Sequence, residues 1–296
     1  MSKLESSCIN RDPHERIRTL PCWRGSPIEI KELTGGITNK TYLVDDGRRH
    51  VVRLGQDIPS QHVMRFNEHS ASLTAAELGI SPQVHHVGPD VLVIEYIPSI
   101  TLQPNQVGEY LPDIVSLMQR VHREMSLKIR GPILAYWIFH VIRDTIATLK
   151  SHRVDTDLSG LLIQAGELER AVGPVELTFC HNDWLAANIL ADENRLWLID
   201  WDYAGFNSPL SDLGSLASNN LLDSTQEQWL LENYFEQPLQ SLRHRQYLAM
   251  KAASLLKETL WSLNSEIGST VDFDFRGYSA LCLERYAQAW SDFLQA

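Results

Sequence analysis

The chain has 296 residues, of which 44% are hydrophobic and 21% charged, a globular composition with enough length for one large domain or two lobes. Its formal net charge of −11 argues against non-specific binding to nucleic acid or to an anionic membrane. The four cysteines, Cys8, Cys22, Cys180 and Cys282, form no CxxC pair, which disfavours a disulfide scaffold or a zinc site and favours a reducing, cytoplasmic location. We expect no signal peptide at the polar N-terminus, and no membrane insertion, because the longest apolar stretch, near residues 133–142, is too short to span a bilayer.

The first third of the chain predicts short strands. Residues 1–27 are polar and are expected to form a peripheral lead-in. A hairpin is predicted where two β-branched runs flank Asp45, Asp46 and Gly47. A helix over residues 66–78 should end at Gly79, because glycine is the usual residue just past a helix C-terminus. The predicted strands are residues 28–33, 41–44, 51–54, 84–87 and 91–96.

The rest of the chain predicts mostly helices. Apolar residues recur there with the helical period of 3.6. The predicted helices are residues 111–125, 137–150, 158–171, 226–235, 242–263 and 278–294. A strand-rich start followed by a helical remainder predicts a two-lobed, kinase-like α+β fold. The N-terminal nucleotide-binding lobe is assigned to residues 1–97, with its core at 28–97. The helical C-terminal lobe, with the catalytic loop and acceptor pocket, is assigned to residues 98–296, after a hinge near residues 95–99.

The segment FCHNDWLAANIL, followed by LWLIDWDYAGF, is the most informative motif. Phosphoryl transfer from ATP needs a carboxylate at the acceptor hydroxyl, together with an amide oxygen and a second carboxylate that hold Mg²⁺. Asp183, Asn188 and Asp200 offer these groups in order, and the apolar run before Asp200 predicts a short buried strand that delivers it. His181 is expected to brace the loop by hydrogen bonds, since Asp183 already occupies the position of the base.

A second motif, LTGGITNKTY, lies between two predicted strands. Its glycines, Gly35 and Gly36, would let the backbone approach phosphates, and the amides after them, around Thr38 and Asn39, would donate to them. Such glycine turns are common in hairpins, so the motif alone does not indicate a phosphate-binding loop. Two charged residues further along the chain support that interpretation. Arg53 on a predicted strand and Glu68 on the next helix could form the cation–carboxylate pair that holds the phosphates of ATP in kinases. A surface ion pair is the alternative for these two residues.

The C-terminal segment contains a possible binding site for an ammonium group. Glu258 and Trp261 lie three residues apart, on one face of a predicted helix, and the aromatic residues Phe273, Phe275 and Tyr278 come soon after. Aromatic faces with a carboxylate bind ammonium groups, because the ring faces are electron-rich. Spacing alone favours the simpler interpretation that these aromatic residues are part of the core.

From about residue 28 to residue 286 the sequence resembles the choline/ethanolamine kinases and the related aminoglycoside phosphotransferases. The resemblance is carried by the HxDxxxxN loop and by the segments IDWDY, GGITNKTY, VVRLG, ELGISPQV and VIEYIPSITL. It implies that Asp200 binds the metal, that Arg53 pairs with Glu68, and that the hinge backbone of Glu95 and Ile97 binds adenine. It also implies that Asp212 braces the catalytic loop through backbone amides and His181.

For the acceptor, the resemblance implies that Trp261, Phe273 and Tyr278 surround the amine, with Tyr203 joining from the metal side. Glu258 stands where eukaryotic choline kinases have a further tryptophan, which favours a smaller or less methylated amine. Either Glu258 or Asp202 would supply the negative charge.

These observations predict an ATP- and Mg²⁺-dependent kinase of a small cationic alcohol, choline or ethanolamine. Related kinases of thiamine, a sugar or an aminoglycoside are the alternatives, as is an inactive binding protein that kept the fold. The sequence leaves the oligomeric state open.

Overall fold

A computed structural model describes residues 12–23, 28–33, 39–152, 154–269 and 273–296. The chain forms two compact units. One comprises the residues up to Asp57 together with Pro82–Pro98, and the other comprises Ile58–Ser81 and Ser99–Ala296. An antiparallel sheet dominates the first unit and helices dominate the second, so the predicted α+β fold class is confirmed.

Within the residues that the structure describes, the first unit contains one helix and a five-stranded antiparallel sheet. These elements are α1 (Pro13–Arg18), β1 (Glu29–Leu33), β2 (Lys40–Asp45), β3 (Arg49–Leu54), β4 (Val84–Gly88) and β5 (Val91–Glu95). The strands lie in the order β1-β2-β3-β5-β4, and all five match predicted strands. Gly47 adopts a positive φ of 97° in the β2–β3 turn, where its amide donates to Asp45 Oδ1 at 2.8 Å. Glycine adopts this conformation at little cost.

Helix α1 belongs to the core of the first unit, so this part of residues 1–27 is not peripheral. The Asp12 side chain caps its first turn, and Pro13 occupies the first helical position, both favourable choices at a helix start. Ile17 is fully buried in one apolar cluster with residues of the sheet. The other fully or largely buried members of this cluster are Ile28, Tyr42, Val44, Val52, Leu54, Val91 and Val93.

The second unit contains nine α-helices within the described residues. They are α2 (Arg65–Glu77), α3 (Leu111–Arg120), α4 (Ser126–Lys128), α5 (Ile138–Lys150), α6 (Leu158–Val172), α7 (Pro209–Asn219), α8 (Ser224–Phe235), α9 (Ser241–Gly268) and α10 (Phe275–Gln295). The predicted helix at 111–125 is interrupted, since a π-helical turn, Val121–Met125, follows α3.

Helix α7 was not predicted from the sequence. Its segment, PLSDLGSLASN, is rich in serine, glycine and asparagine, which are weak helix formers. Tertiary packing overrides that weakness, because nearly the whole helix is buried. Gly214 allows a close approach to α9, since a Cβ there would lie 2.9 Å from the Cα atom of Lys251.

The long helix α9 is the centre of the second unit. It packs against α5, α6, α7 and α10, and residues on several of its faces are buried. Burial on several sides explains why its sequence carries apolar residues on more than one face.

Short strands fix the loops that carry the candidate catalytic residues. They are β6 (Ile100–Thr101), β7 (Thr178–Cys180), β8 (Ile189–Ala191), β9 (Leu196–Leu198) and β10 (Gly205–Asn207). Strand β7 pairs with β10, and β8 lies between β6 and β9. The loop 181–188 therefore runs from β7 to β8, and the loop 199–204 runs from β9 to β10. The two loops are neighbours because each of them connects the β7–β10 pair to the sheet that contains β8 and β9.

In the described parts of the chain, none of the helices combines the length and apolar character needed to cross a bilayer.

Candidate active site

The loop that carries Asp183 is fixed by the side chain of Asn182. Asn182 has a positive φ of 64°, a conformation that asparagine tolerates better than most residues. Its amide nitrogen donates to the carbonyl oxygens of Tyr203 at 3.0 Å and Gly205 at 3.3 Å. Its oxygen accepts a hydrogen bond from Asn207 Nδ2 at 2.8 Å. The catalytic loop is thereby tied to the segment that comes after Asp200.

Asp183 and Asn188 are in direct contact. The amide nitrogen of Asn188 donates to the Asp183 carboxylate oxygen Oδ2 at 3.0 Å and to the Asp183 carbonyl at 3.0 Å. Burial raises the pKa of Asp183 to about 7, with Glu258 and Asp200 adding to the rise and Lys257 opposing it. Since its nitrogen is bound to Asp183, the Asn188 amide oxygen is the atom that can face a metal.

Asp200 is brought beside Asn188 by the backbone. The amide of Ile199 donates to the Asn188 carbonyl at 3.0 Å, and the Ile199 carbonyl bonds the His181 side chain at 3.0 Å. Asp200 itself has a left-handed φ of 69°, and such strained residues concentrate at functional sites. An amide oxygen and a carboxylate form an oxygen donor set, which suits Mg²⁺.

His181 is a buried bracing residue in this geometry. Burial lowers its pKa, which favours a neutral imidazole that bonds the Ile199 carbonyl. Its hydrogen bond connects the loop 181–188 to the segment before Asp200, and its role as a loop brace stays a prediction.

Asp212, in the first turns of α7, binds the backbone of the loop 181–188. Its carboxylate accepts the backbone amides of His181 at 2.9 Å and Asn182 at 2.8 Å. It also bonds His122 Nε2 at 3.0 Å, a partner from the π-helical turn that the sequence did not indicate. Burial alone would raise the pKa of Asp212, but the hydrogen bond and charge of His122 hold it below its usual value.

His122, Cys180 and Asp212 lie close enough to be considered as a metal site. His122 Nδ1 is bonded to the Tyr234 hydroxyl at 2.6 Å, and the Cys180 thiol contacts the Ser208 carbonyl at 3.5 Å. Burial also raises the pKa of the Cys180 thiol, which disfavours the thiolate that binds metals. The cluster is therefore a hydrogen-bonded brace, in which Cys180 is a buried packing residue.

Replacing Asp212 by alanine should destabilise the second unit by about 3–5 kcal/mol, because it leaves buried donors without an acceptor. The folded-state pKa of Asp212 lies below the unfolded value of about 3.9. Its contribution should thus be complete above that unfolded pKa and disappear as the pH falls through the lower folded one. Urea unfolding at neutral and acid pH measures both effects. Asp155→Ala, at an exposed position, is the control, and an equal loss in the two variants would contradict the bracing role.

The predicted acceptor residues come together around the start of α10 and the middle of α9. The Tyr278 hydroxyl donates to Glu258 Oε1 at 2.9 Å. Phe273, which is 39% exposed, contacts the Tyr278 ring with centroids 5.7 Å apart. The Trp261 ring contacts Phe275 at 6.1 Å. The predicted group of aromatic residues with a carboxylate is therefore a contiguous cluster in the structure.

Tyr203 lies in the same neighbourhood but packs on a residue the sequence did not single out. Its ring meets the buried Tyr136 edge-to-face, with centroids 5.8 Å apart. Burial raises the pKa of Tyr136 to about 12, and the Asp183 charge contributes to that rise. Tyr136 thus lies near the Asp183 carboxylate. It carries no motif, so no pattern in the sequence could have identified it.

Lys257 is the second residue that sequence reasoning missed. It is buried, and its ammonium lies 3.7 Å from the Glu258 carboxylate. It directly precedes Glu258 and follows the apolar pair Leu255–Leu256, and a lysine at that position was the signal that could have drawn attention to it.

Asp202 is tied to α2. Both of its carboxylate oxygens accept from the Arg65 guanidinium, at 3.0 and 3.4 Å, and Arg65 also bonds Glu68. This buried group was not predicted, because Arg65 and Asp202 are 137 positions apart. Asp202 is thus bound to α2, whereas Glu258 belongs to the aromatic cluster, so Glu258 is the better placed of the two to bind a cation.

The nucleotide-binding predictions are only partly covered by the described residues. Gly35, Gly36 and Thr38 lie outside them, and the neighbouring Asn39 is buried. Arg53 is on β3 of the first unit, whereas Glu68 is on α2 of the second, so their pairing stays a prediction. In the hinge, the Glu95 amide donates to the Gln83 carbonyl at 2.8 Å. The roles of Glu95 and Ile97 toward adenine also stay predictions.

The fold and the grouping of Asp183, Asn188 and Asp200 define a small-molecule kinase of the protein-kinase-like class. The chain belongs to the choline/ethanolamine kinase family, whose model matches residues 30–251. Ethanolamine kinase 2 of Homo sapiens is 26% identical over 303 residues, covering 90% of this chain and 77% of that protein. A thiamine kinase of Shigella boydii is 24% identical and covers 69% of this chain and 70% of that protein.

Solved structures agree with this assignment. A choline/ethanolamine kinase family protein from Mesorhizobium loti superposes with a TM-score of 0.76 and 25% identity, covering 95% of this chain and 93% of that one. The choline kinase LicA from Streptococcus pneumoniae superposes with a TM-score of 0.79 and 22% identity, covering 98% and 100%. Aminoglycoside phosphotransferases share the fold more distantly, with TM-scores of 0.61 for two of them.

Proposed function

We propose that this protein transfers a phosphoryl group from ATP, with Mg²⁺, to the hydroxyl of a small amino alcohol, ethanolamine or choline. One observation carries the proposal. The Lys257 ammonium lies 3.5 Å from the carbonyl oxygen of Asn182, the residue before Asp183, and 3.7 Å from Glu258 Oε2. Glu258 in turn belongs to the aromatic cluster of Tyr278 and Trp261. An alcohol whose ammonium lies in this cluster would present its hydroxyl toward Asp183.

Each residue then has a chemical role. Asp183 accepts the proton of the acceptor hydroxyl, and its raised pKa is suited to accepting a proton near neutral pH. Asn188 would hold Mg²⁺ through its amide oxygen and Asp200 through its carboxylate, where the ion would neutralise charge on the phosphates. Arg53, Glu68 and the loop around Gly35 and Gly36 would position the phosphates. The relatives named ethanolamine and choline kinases support the same acceptor class.

A screen that couples ADP release to a colour change would test the proposal with ethanolamine, choline, thiamine, a sugar and an aminoglycoside as acceptors. Turnover with an amino alcohol, dependent on Mg²⁺, is expected. Turnover with only one of the other acceptors would overturn the acceptor assignment, but the conclusion that the protein is a kinase would stand. No turnover with any acceptor, together with intact ATP binding, would favour a binding protein.

Trp261→Ala should raise the KM for the amino alcohol about 3- to 30-fold, with little change in the KM for ATP. An aromatic face contributes roughly 0.5–2 kcal/mol to the binding of a cation. Steady-state kinetics with each substrate varied in turn would measure the effect. Trp229→Ala, a partly exposed tryptophan on α8, is the matched control. Equal changes in the two KM values would place Trp261 outside the acceptor site.

A further inference from the structure

The aromatic–carboxylate cluster already contains a cation of the chain itself. The Lys257 ammonium lies 3.5 Å from the Asn182 carbonyl oxygen, 3.7 Å from Glu258 Oε2 and 5.5 Å from the centroid of the Tyr203 ring. A carbonyl, a carboxylate and an aromatic face are the groups that bind an ammonium ion in proteins. Lys257 therefore occupies one face of Tyr203, a residue that the resemblance assigned to the acceptor site.

The lysine is charged in this position. Its burial alone would lower its pKa, but the neighbouring Tyr136, Glu258 and Asp183 raise that pKa above the usual value. Two carboxylates, Asp183 and Glu258, face this one ammonium. Lys257 therefore does not outnumber the carboxylates around it, and a cationic alcohol can still bind beside Glu258.

The chemistry of the remaining contacts differs for primary and quaternary amines. A primary ammonium donates hydrogen bonds, so it can share the Glu258 carboxylate with Lys257. A trimethylammonium group donates none and depends on aromatic faces for its binding. One of those faces is occupied by a like charge, which also repels the ligand.

Polar atoms without hydrogen-bond partners in the cluster also bear on the choice between a primary and a quaternary amine. The Tyr203 hydroxyl and the Trp261 indole nitrogen are buried and have no hydrogen-bond partner in the part of the chain that the structure describes. Buried polar groups without partners are costly. A primary ammonium could donate a hydrogen bond to the Tyr203 hydroxyl and a trimethylammonium could not. The Trp261 indole nitrogen is itself a donor, so it does not distinguish the two amines.

We propose that Lys257 is a specificity-determining residue that makes this acceptor site selective for a primary amino alcohol over a quaternary one. The inference rests on the proposed function, since it narrows the acceptor class of the same site. Its physical basis is the occupation of the Tyr203 face and the Glu258 carboxylate by the Lys257 ammonium.

The test compares ethanolamine, its N-methyl and N,N-dimethyl derivatives, and choline as substrates of the wild type and of Lys257→Met. Methionine keeps a long apolar side chain and removes the charge. In the wild type, kcat/KM should fall with each added methyl group, by roughly tenfold or more from ethanolamine to choline. In Lys257→Met this ratio should shrink by about tenfold, because the Tyr203 face becomes open to the ligand. Lys251→Met, on the same helix and paired with Glu227, is the control and should keep the wild-type ratio.

The possible results distinguish a failure of the Lys257 inference from a failure of the proposed function. The inference alone would be overturned if the ratio of kcat/KM for ethanolamine to that for choline were the same in the wild type and in Lys257→Met. A wild type that prefers choline would overturn it as well. A wild type that phosphorylates only thiamine, a sugar or an aminoglycoside would overturn the proposed function and the inference together. If Lys257→Met does not fold, inhibition of the wild type decides the question. Ethylammonium should then inhibit more strongly than tetramethylammonium, and the reverse order would overturn the inference.

Discussion

Asp183→Asn should lower turnover by about 10²–10⁴-fold while leaving nucleotide affinity unchanged, because a positioned base contributes a factor of that size. The substitution keeps the shape of the side chain. Its amide oxygen can still accept the hydrogen bond that Asn188 donates at 3.0 Å, so the loop should keep its conformation. What is lost is the ability to accept the proton of the acceptor hydroxyl.

Turnover by ADP release and ATP binding by calorimetry should be measured separately for this variant. Asp113→Asn, at an exposed position on α3, is the matched control and should behave like the wild type. Near wild-type turnover in Asp183→Asn would remove this carboxylate from the mechanism. A parallel loss of ATP binding would instead indicate that the loop had changed its conformation.

Asp200→Ala should abolish turnover and weaken the binding of ATP in the presence of Mg²⁺. Proteins usually bind Mg²⁺ through one or two carboxylates and the substrate phosphates, so the loss of one carboxylate is severe. Because Asp200 has a left-handed φ of 69°, Asp200→Asn is the second variant. Asparagine tolerates this backbone conformation better than alanine does, which separates loss of the charge from backbone strain.

Titration of ATP binding with Mg²⁺ is the measurement that decides the role of Asp200. Glu193→Ala, in the exposed turn between β8 and β9, is the control from the same hairpin. If the Mg²⁺ dependence in Asp200→Asn equals that of the wild type, the metal assignment is wrong.

Much of the secondary structure could be predicted from local patterns in the sequence. The β2–β3 hairpin was predictable because Asp45 and Gly47 determine the turn by local hydrogen bonding and backbone freedom. Helix α2 was predictable because its end is marked by Gly79, which has a positive φ of 66°. Helix α7 was missed because its stability comes from burial against α9 rather than from its own residues.

The candidate catalytic residues were also visible in the sequence, since Asp183, Asn188 and Asp200 lie close together in one motif. Their supports were not visible. His122 reaches Asp212 from 90 positions away, and Arg65 reaches Asp202 from 137. Long-range partners of this kind leave no spacing pattern in a single sequence, because either residue alone is an ordinary polar side chain.

The sequence by itself determined the family, the α+β class and the order of the groups that phosphoryl transfer requires, because these depend on short motifs and local periodicity. Only the tertiary structure decided which charges meet in the acceptor cluster. It tied Asp202 to Arg65, and it placed the Lys257 ammonium against Glu258 and the ring of Tyr203. The physical reason is that charge pairing within a buried cluster depends on distances across the fold, and one residue of helical register decides whether a lysine faces solvent or a buried carboxylate.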